Sequence, residues 1–145
     1  MASRNDLNLC AGTVLHIEGY SSRGHPPKNK YLVIIGFLSE AVALGFLISS
    51  QLIYLEYEPH CNEIVRLPHN ATQFIRSESI IQCFEMERLS FEALCEGIED
   101  GKVKNLGKLP TKYLHRVREA VVRSVLLSQQ DIGDALSVLP RPRED

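Results

Sequence analysis

The chemistry-bearing residues of this chain group around three features. One is a basic loop, Gly19 to Asn29, that carries Arg23 and Lys28 and runs into Lys30. Another is the Ser49-Ser50 pair at the end of an apolar stretch, and the third is a basic segment near the C-terminus. Other chemistries find little to work with. His60-Cys61, His69 and Cys83 form the only His/Cys grouping, and their spacing fits none of the usual zinc patterns. There is no GxGxxG or GxxxxGK phosphate loop and no GxSxG elbow. Cys83 and Cys95 sit in apolar patterns and read as core residues. Glu56 with Glu58, and Glu85 with Glu87, lie at strand spacing and read as solvated faces. The aromatic strand signature of an RRM and the GXXG loop of a KH domain are missing. Tyr20, Tyr31, Tyr54 and Tyr57 are left either to stack on bases or to pack in a core.

The elements that must hold these residues are β first and helical last. Gly12 to Glu18 alternates apolar and polar, the period of a half-buried strand. Tyr31 to Ile35 is a short β-branched run, the mark of a strand buried on both faces. Ala43–Ser49, Gln51–Glu56, Glu63–Leu67 and Ser79–Glu87 are predicted strands, with a turn at Pro68-His69-Asn70. Ser90 is placed to cap a helix from Phe91 to about Glu99, although Gly97 lies inside it. Gly101 and Gly107 bracket a basic linker. Leu109 to Gln130 is predicted as one helix, with Leu114, Val117, Val121 and Val125 on one stripe and Lys112, Arg116, Glu119 and Arg123 on another. Asp131 to Val138 continues it as a last turn or short helix. Strands without intervening helices, followed by helices, give an α+β order. The simplest architecture is a small curved antiparallel barrel with a C-terminal helix packed across it. Residues 1–139 form a single domain, and 140–145 a flexible tail.

Composition sets the outer limits. The chain has 145 residues, 44% hydrophobic and 23% charged, with a net charge of −2, which suits one globular domain. No apolar run approaches the roughly 18 residues of a membrane span, and the N-terminus lacks the pattern of a secretory signal. A cytoplasmic location is expected, which argues against disulfides among Cys10, Cys61, Cys83 and Cys95. Charge is uneven: residues 40–100 carry three basic and eleven acidic groups, and residues 101–123 carry seven basic and one acidic. Such asymmetry marks either a polyanion-binding face or two blocks that neutralise each other.

The order of several segments resembles the MazF/PemK/Kid family of ribosome-independent mRNA endoribonuclease toxins. Gly12-Thr13-Val14 is similar to the family's opening strand. Lys30-Tyr31-Leu32-Val33-Ile34-Ile35 stands where the family has Arg-Pro-x-Val-Val-Val/Ile. Leu47-Ile48-Ser49-Ser50-Gln51-Leu52 resembles its Pro-Ile-Thr-Ser-Asn-Leu segment. Glu78-Ser79-Ile80-Ile81-Gln82-Cys83, through Glu87-Arg88-Leu89, resembles its Asp-Gln-Ile-Arg-Thr-Val-Asp-x-x-Arg-Leu strand and turn. Gly107-Lys108-Leu109 resembles the entry to its terminal helix. The resemblance spans roughly residues 11 to 130.

It implies an SH3-like barrel, a homodimer, and cleavage of single-stranded RNA without metal or other cofactor. The ribose 2′-hydroxyl attacks the adjacent phosphate and leaves a 2′,3′-cyclic phosphate. An antitoxin protein is the implied partner, with no membrane association. In-line attack needs a cation for the charge developing on the phosphate and an acid for the departing 5′-oxygen. The resemblance gives the catalytic positions to Lys30, Ser49 and Ser50. It gives RNA contacts to Lys28, Arg23, His69 and Arg76. Two departures stand out. Lys30 replaces an arginine and loses its planar phosphate fork. The 54–72 insertion adds Glu56, Glu58 and Glu63, which would repel RNA in a groove. A barrel of this type that binds protein or nucleic acid without catalysis is the alternative. A structural subunit whose helix docks on a partner is a further one.

Overall fold

The computed structural model describes residue 3, residues 6–21 and residues 24–142. The strands are β1 (Thr13–Tyr20), β2 (Lys28–Phe37), β3 (Val42–Ser49), β4 (Ile64–Leu67), β5 (Ser79–Ser90) and β6 (Val103–Lys108). The helices are α1 (Phe91–Glu99), α2 (Thr111–Val122) and α3 (Gln129–Val138). Every pairing is antiparallel, in the order β4-β5-β3-β2-β1-β6. The α+β order is as expected. The closed barrel is not: among the described residues β4 and β6 remain as edges and do not pair. β4 has only four residues, and the chain leaves it at Pro68, so it offers β6 too little backbone for a ladder.

Alternation along β1 and β2 sends neighbouring residues to opposite faces. Val14, Val33 and Ile35 pack with Leu114, Val117, Val121 and Ala135 beneath α2 and α3. Leu15, Leu32 and Ile34 pack with Phe91 and Leu94 of α1. Both faces of the central strands are therefore covered, which is why Leu32 to Ile35 is apolar throughout. Each such side chain contributes about 1.5–3 kcal/mol on burial. Ser90 caps α1 through its hydroxyl, which accepts from the Ala93 N–H at 3.2 Å.

Gly97 follows from packing rather than helix propensity. A Cβ there would run into Cγ2 of Val103 on β6. Propensity alone says that Gly97→Ala stabilises α1 by about 1 kcal/mol. The overpacking cost of about 1–3 kcal/mol outweighs it. Urea denaturation of Gly97→Ala is expected to show a net loss of stability, and a gain would mean that α1 is free to shift off β6.

Three further expectations change. Gln51–Glu56 is not a strand; Ile53–Leu55 and His60–Asn62 are 3-10 turns. The basic linker between Gly101 and Gly107 is β6 itself. The single helix over 109–130 is two helices with a turn between them. Leu114, Val117 and Val121 are buried as that stripe requires, but Val125 lies in the turn and is 75% exposed.

Glu63 holds that turn in place. Its carboxylate, only 2% exposed, accepts hydrogen bonds from the Ser124 hydroxyl and from the N–H groups of Val125 (3.0 Å) and Leu126 (3.2 Å). Three donors offset the cost of burying the charge, and two of them are backbone N–H groups of the turn between α2 and α3. Burial pushes the thiol of Cys83 up, and the Glu63 carboxylate adds to the rise. α3 is tied down separately. Arg88 donates to Asp131 and Asp134, each at 2.7 Å, and Arg118 donates to the carbonyls of Leu136 and Leu139. No helix of the described residues is long and apolar enough to cross a membrane. Of the expected tail, residues 143–145 lie outside the described residues, and Pro140–Pro142 has no regular structure.

Candidate functional site

The main candidate site occupies the seam where the sheet would have to close. Between β4 and β5 the chain crosses towards β6, and Phe74 lies against Gly107. Gly107 has φ +125°, and a Cβ on it would meet the Phe74 ring at 3.1 Å, so glycine is needed for both conformation and contact. Beside this contact is a cavity of about 570 Å³. Its floor is apolar, with Ile48, Ile75 and Leu106. Its rim is polar and exposed, and includes Tyr31, Ser50, Gln73 and Arg76. The size and the mix of apolar floor and few polar groups suit a small ligand or one unit of a polymer.

Register carries the rim across the sheet. Lys104 of β6 stands opposite His16 of β1, His16 opposite Tyr31 of β2, and Tyr31 opposite Ile48 of β3. Directly paired residues share a face, with strands about 4.8 Å apart. A lysine, an imidazole and a phenol therefore form one row that ends in the cavity. The His16 and Tyr31 ring centroids are 4.9 Å apart. Tyr31 is 45% exposed and His16 is half-buried. On the far side Arg76 is exposed and has no ion-pair partner among the described residues. The nearby Glu78 is taken by Arg66. The site thus combines an imidazole, several hydroxyls and two cations, Arg76 and Lys104, that have no ion-pair partner among the described residues. An imidazole can pass a proton, and cations hold phosphate oxygens.

The residues expected from sequence are divided between two faces. Ser50 and Arg76 line the seam cavity. Lys30 does not: it pairs with Ile17, whose side chain belongs to the α1-side core, and it neighbours Tyr31 on the strand. Alternation turns Ser49 the same way, and its hydroxyl accepts from the Gln51 N–H at 3.0 Å. Lys28 is exposed opposite Tyr20, towards the start of β2. His69 is exposed in the turn after β4 and does not line the cavity. Arg23 lies outside the described residues.

Sequence reasoning missed His16 and Lys104. Alternation in Gly12–Glu18 does place His16 on the same face as the core residue Val14, which marks it as a polar group set inward. Nothing local marks Lys104, because its place depends on pairing with a strand far away in the chain.

The acidic insertion does not wall the cavity. Glu63 is the buried clamp, and neither Glu56 nor Glu58 is among the lining residues. The basic C-terminal block is dispersed as well. Lys104 joins the row, Lys112 and Arg116 lie over the Tyr113 ring at 5.3 and 5.2 Å, and Arg118 caps α3. Among the described residues, no three His, Cys, Asp or Glu side chains come together as a metal-binding group.

Comparison with known proteins adds no relative: no protein-family model matches the chain, and no curated protein sequence does.

Proposed function

We propose that this chain is an endoribonuclease that cleaves single-stranded RNA in the seam cavity without a metal ion. The observation that carries the reading is the cross-strand row Lys104–His16–Tyr31, whose Tyr31 end lines one cavity together with Arg76. The nucleophile is in the substrate, so the protein has to supply proton transfer and positive charge. His16 takes the proton from the ribose 2′-hydroxyl. The 2′-oxygen forms a bond to phosphorus and the bond to the 5′-oxygen breaks, with the Tyr31 hydroxyl donating its proton to that oxygen. Arg76 and Lys104 hold the non-bridging oxygens, whose charge grows at the transition state. The products are a 2′,3′-cyclic phosphate and a 5′-hydroxyl. Ser50 orients the phosphate from the cavity's β3 side.

The segment order of the MazF/PemK/Kid family supports the same chemistry, and extends the proposal to a homodimeric toxin restrained by an antitoxin. The cation's role passes from Lys30 to Arg76, because among the described residues Arg76 is the cation that lines the cavity with Ser50 and Tyr31.

The test is incubation of the full chain with end-labelled single-stranded RNA in excess EDTA. Discrete fragments ending in 2′,3′-cyclic phosphate are expected. They should disappear with Arg76→Ala and persist with Lys30→Ala. A folded protein that leaves RNA intact would overturn the nuclease reading in favour of a binding module. Loss with Lys30→Ala alone would move the site to the α1 face.

A further inference from the structure

A second cavity, of about 720 Å³, adjoins β6 and shares Leu106 with the seam cavity. Register explains how one residue serves both. Asn105 stands opposite Leu15 and Gly107 opposite Val14, so Leu106 is the extra residue of a β-bulge. The bulge also breaks the alternation along β6. Lys104 shares the α2 side with His16, whereas Lys108 stands opposite Thr13, whose neighbour Val14 faces α2 and which therefore faces the α1 side. Thr13, Lys108 and the α1-side core residue Leu9 all line the second cavity. The two cavities thus lie on opposite faces of β6. Because β6 is an edge of the sheet, no further strand among the described residues blocks the way round it.

The N-terminal segment walls this outer cavity. The Asn105 amide donates to the carbonyls of Leu7 (3.2 Å) and Asn8 (3.4 Å), and the Thr13 hydroxyl donates to the Asn8 carbonyl at 3.2 Å. Asn8 has φ +55°, in the left-handed region that asparagine tolerates. Its backbone is held, while its exposed carboxamide makes no hydrogen bond among the described residues.

Charge narrows the ligand. The chain carries 18 acidic residues, yet none of the described ones lines either cavity. Arg76 lines one cavity and Lys108 the other, and neither has an ion-pair partner among the described residues. A cation in each cavity, with an apolar side chain between them, suits a polymer in which anionic groups alternate with flat bases. A carboxamide can read the donors and acceptors of a base edge. An acidic peptide offers the anions without such an edge.

We propose that the outer cavity binds the neighbouring nucleotide of the RNA strand, its phosphate on Lys108 and its base edge on Asn8, with the strand bent over β6 around Leu106. The inference rests on the nuclease reading, because the seam cavity must hold the nucleotide before it.

The test is NMR titration of the full chain with a 2′-O-methyl nucleoside 3′-phosphate and with 2′-O-methyl trinucleotides, whose blocked 2′-hydroxyls prevent cleavage. Both should shift Tyr31 and Arg76. The trinucleotides should also shift Asn8 and Lys108 and bind at least about tenfold more tightly, the worth of one charge-assisted contact. Lys108→Ala should remove that gain and lower the slope of log affinity against log salt by about 0.7, one phosphate contact on a single strand. Asn8→Ala should level the affinities of trinucleotides that differ only in a terminal base, and unlevelled affinities would overturn the role of Asn8. Trinucleotide shifts confined to the seam, in a protein that cuts RNA, would overturn the outer site and leave the nuclease standing. A tetra-aspartate peptide bound as tightly at Asn8 and Lys108 would make this a peptide site and overturn the proposal. A protein that neither cuts RNA nor shifts at the seam would overturn the nuclease reading, and the outer site with it.

Discussion

His16→Ala is expected to lower the rate of RNA cleavage by roughly 10²- to 10⁴-fold, the usual contribution of a positioned proton-transfer group. His16 is the one imidazole in the cross-strand row, in ring contact with Tyr31 and one strand from Lys104. The loss should fall on kcat, because the imidazole acts on the proton in flight and Arg76 and Lys104 do most of the holding. Arg76→Ala should instead raise KM as well as lower kcat. The half-buried imidazole supports little core, so thermal unfolding of His16→Ala should stay close to that of the parent. Single-turnover cleavage of end-labelled RNA measures the effect. A folded His16→Ala protein that cuts at the parental rate would remove the imidazole from the mechanism.

The other large effect concerns stability. Glu63→Ala is expected to cost about 1–3 kcal/mol, the range for leaving hydrogen-bond donors without their acceptor. The substitution leaves the N–H groups of Val125 and Leu126 and the hydroxyl of Ser124 without their acceptor in a part-buried turn. At roughly 2–4 °C per kcal/mol for a chain of this size, the melting temperature should fall well outside experimental error. Glu63→Gln keeps one acceptor oxygen and should lose less. Urea and thermal melts of the two variants give the comparison. A change below about 1 kcal/mol, the scale of a surface pair, would show that the turn holds itself.

What could be read from the sequence follows physical range. β1 to β3 and the cap of α1 were legible because alternation, a β-branched run and a serine cap are local signals. β6 was not. Val103-Lys104-Asn105-Leu106-Gly107-Lys108 is rich in lysine and glycine, as an edge strand paired on one side only is apt to be. The break between α2 and α3 left a partial trace. Ser128 caps α3 through the Asp131 N–H at 3.1 Å, a serine-to-aspartate spacing that signals a helix start. The distant half of the cause, Glu63, gave no local sign. The site divides in the same way. Ser50 lies at the end of an apolar run and Arg76 was reached through the order of the family's segments, whereas His16 and Lys104 meet only through the register of two strands nearly ninety residues apart. Lys30 and Ser49 each lie one position from a residue that lines the seam cavity, and a one-residue step along a strand moves a side chain to the other face.

Under the proposed nuclease function, the unclosed seam also bears on which RNA molecules would be open to attack. A cavity at the edge of an open sheet is entered from the side, across the exposed rim of Tyr31, Ser50 and Arg76, and no strand end has to be threaded. A polymer laid sideways into such a trough needs neither a free 5′ nor a free 3′ terminus. Covalently circular RNA should therefore be opened as readily as a linear strand of the same sequence, and fully base-paired stretches, too stiff and broad to enter, should be spared.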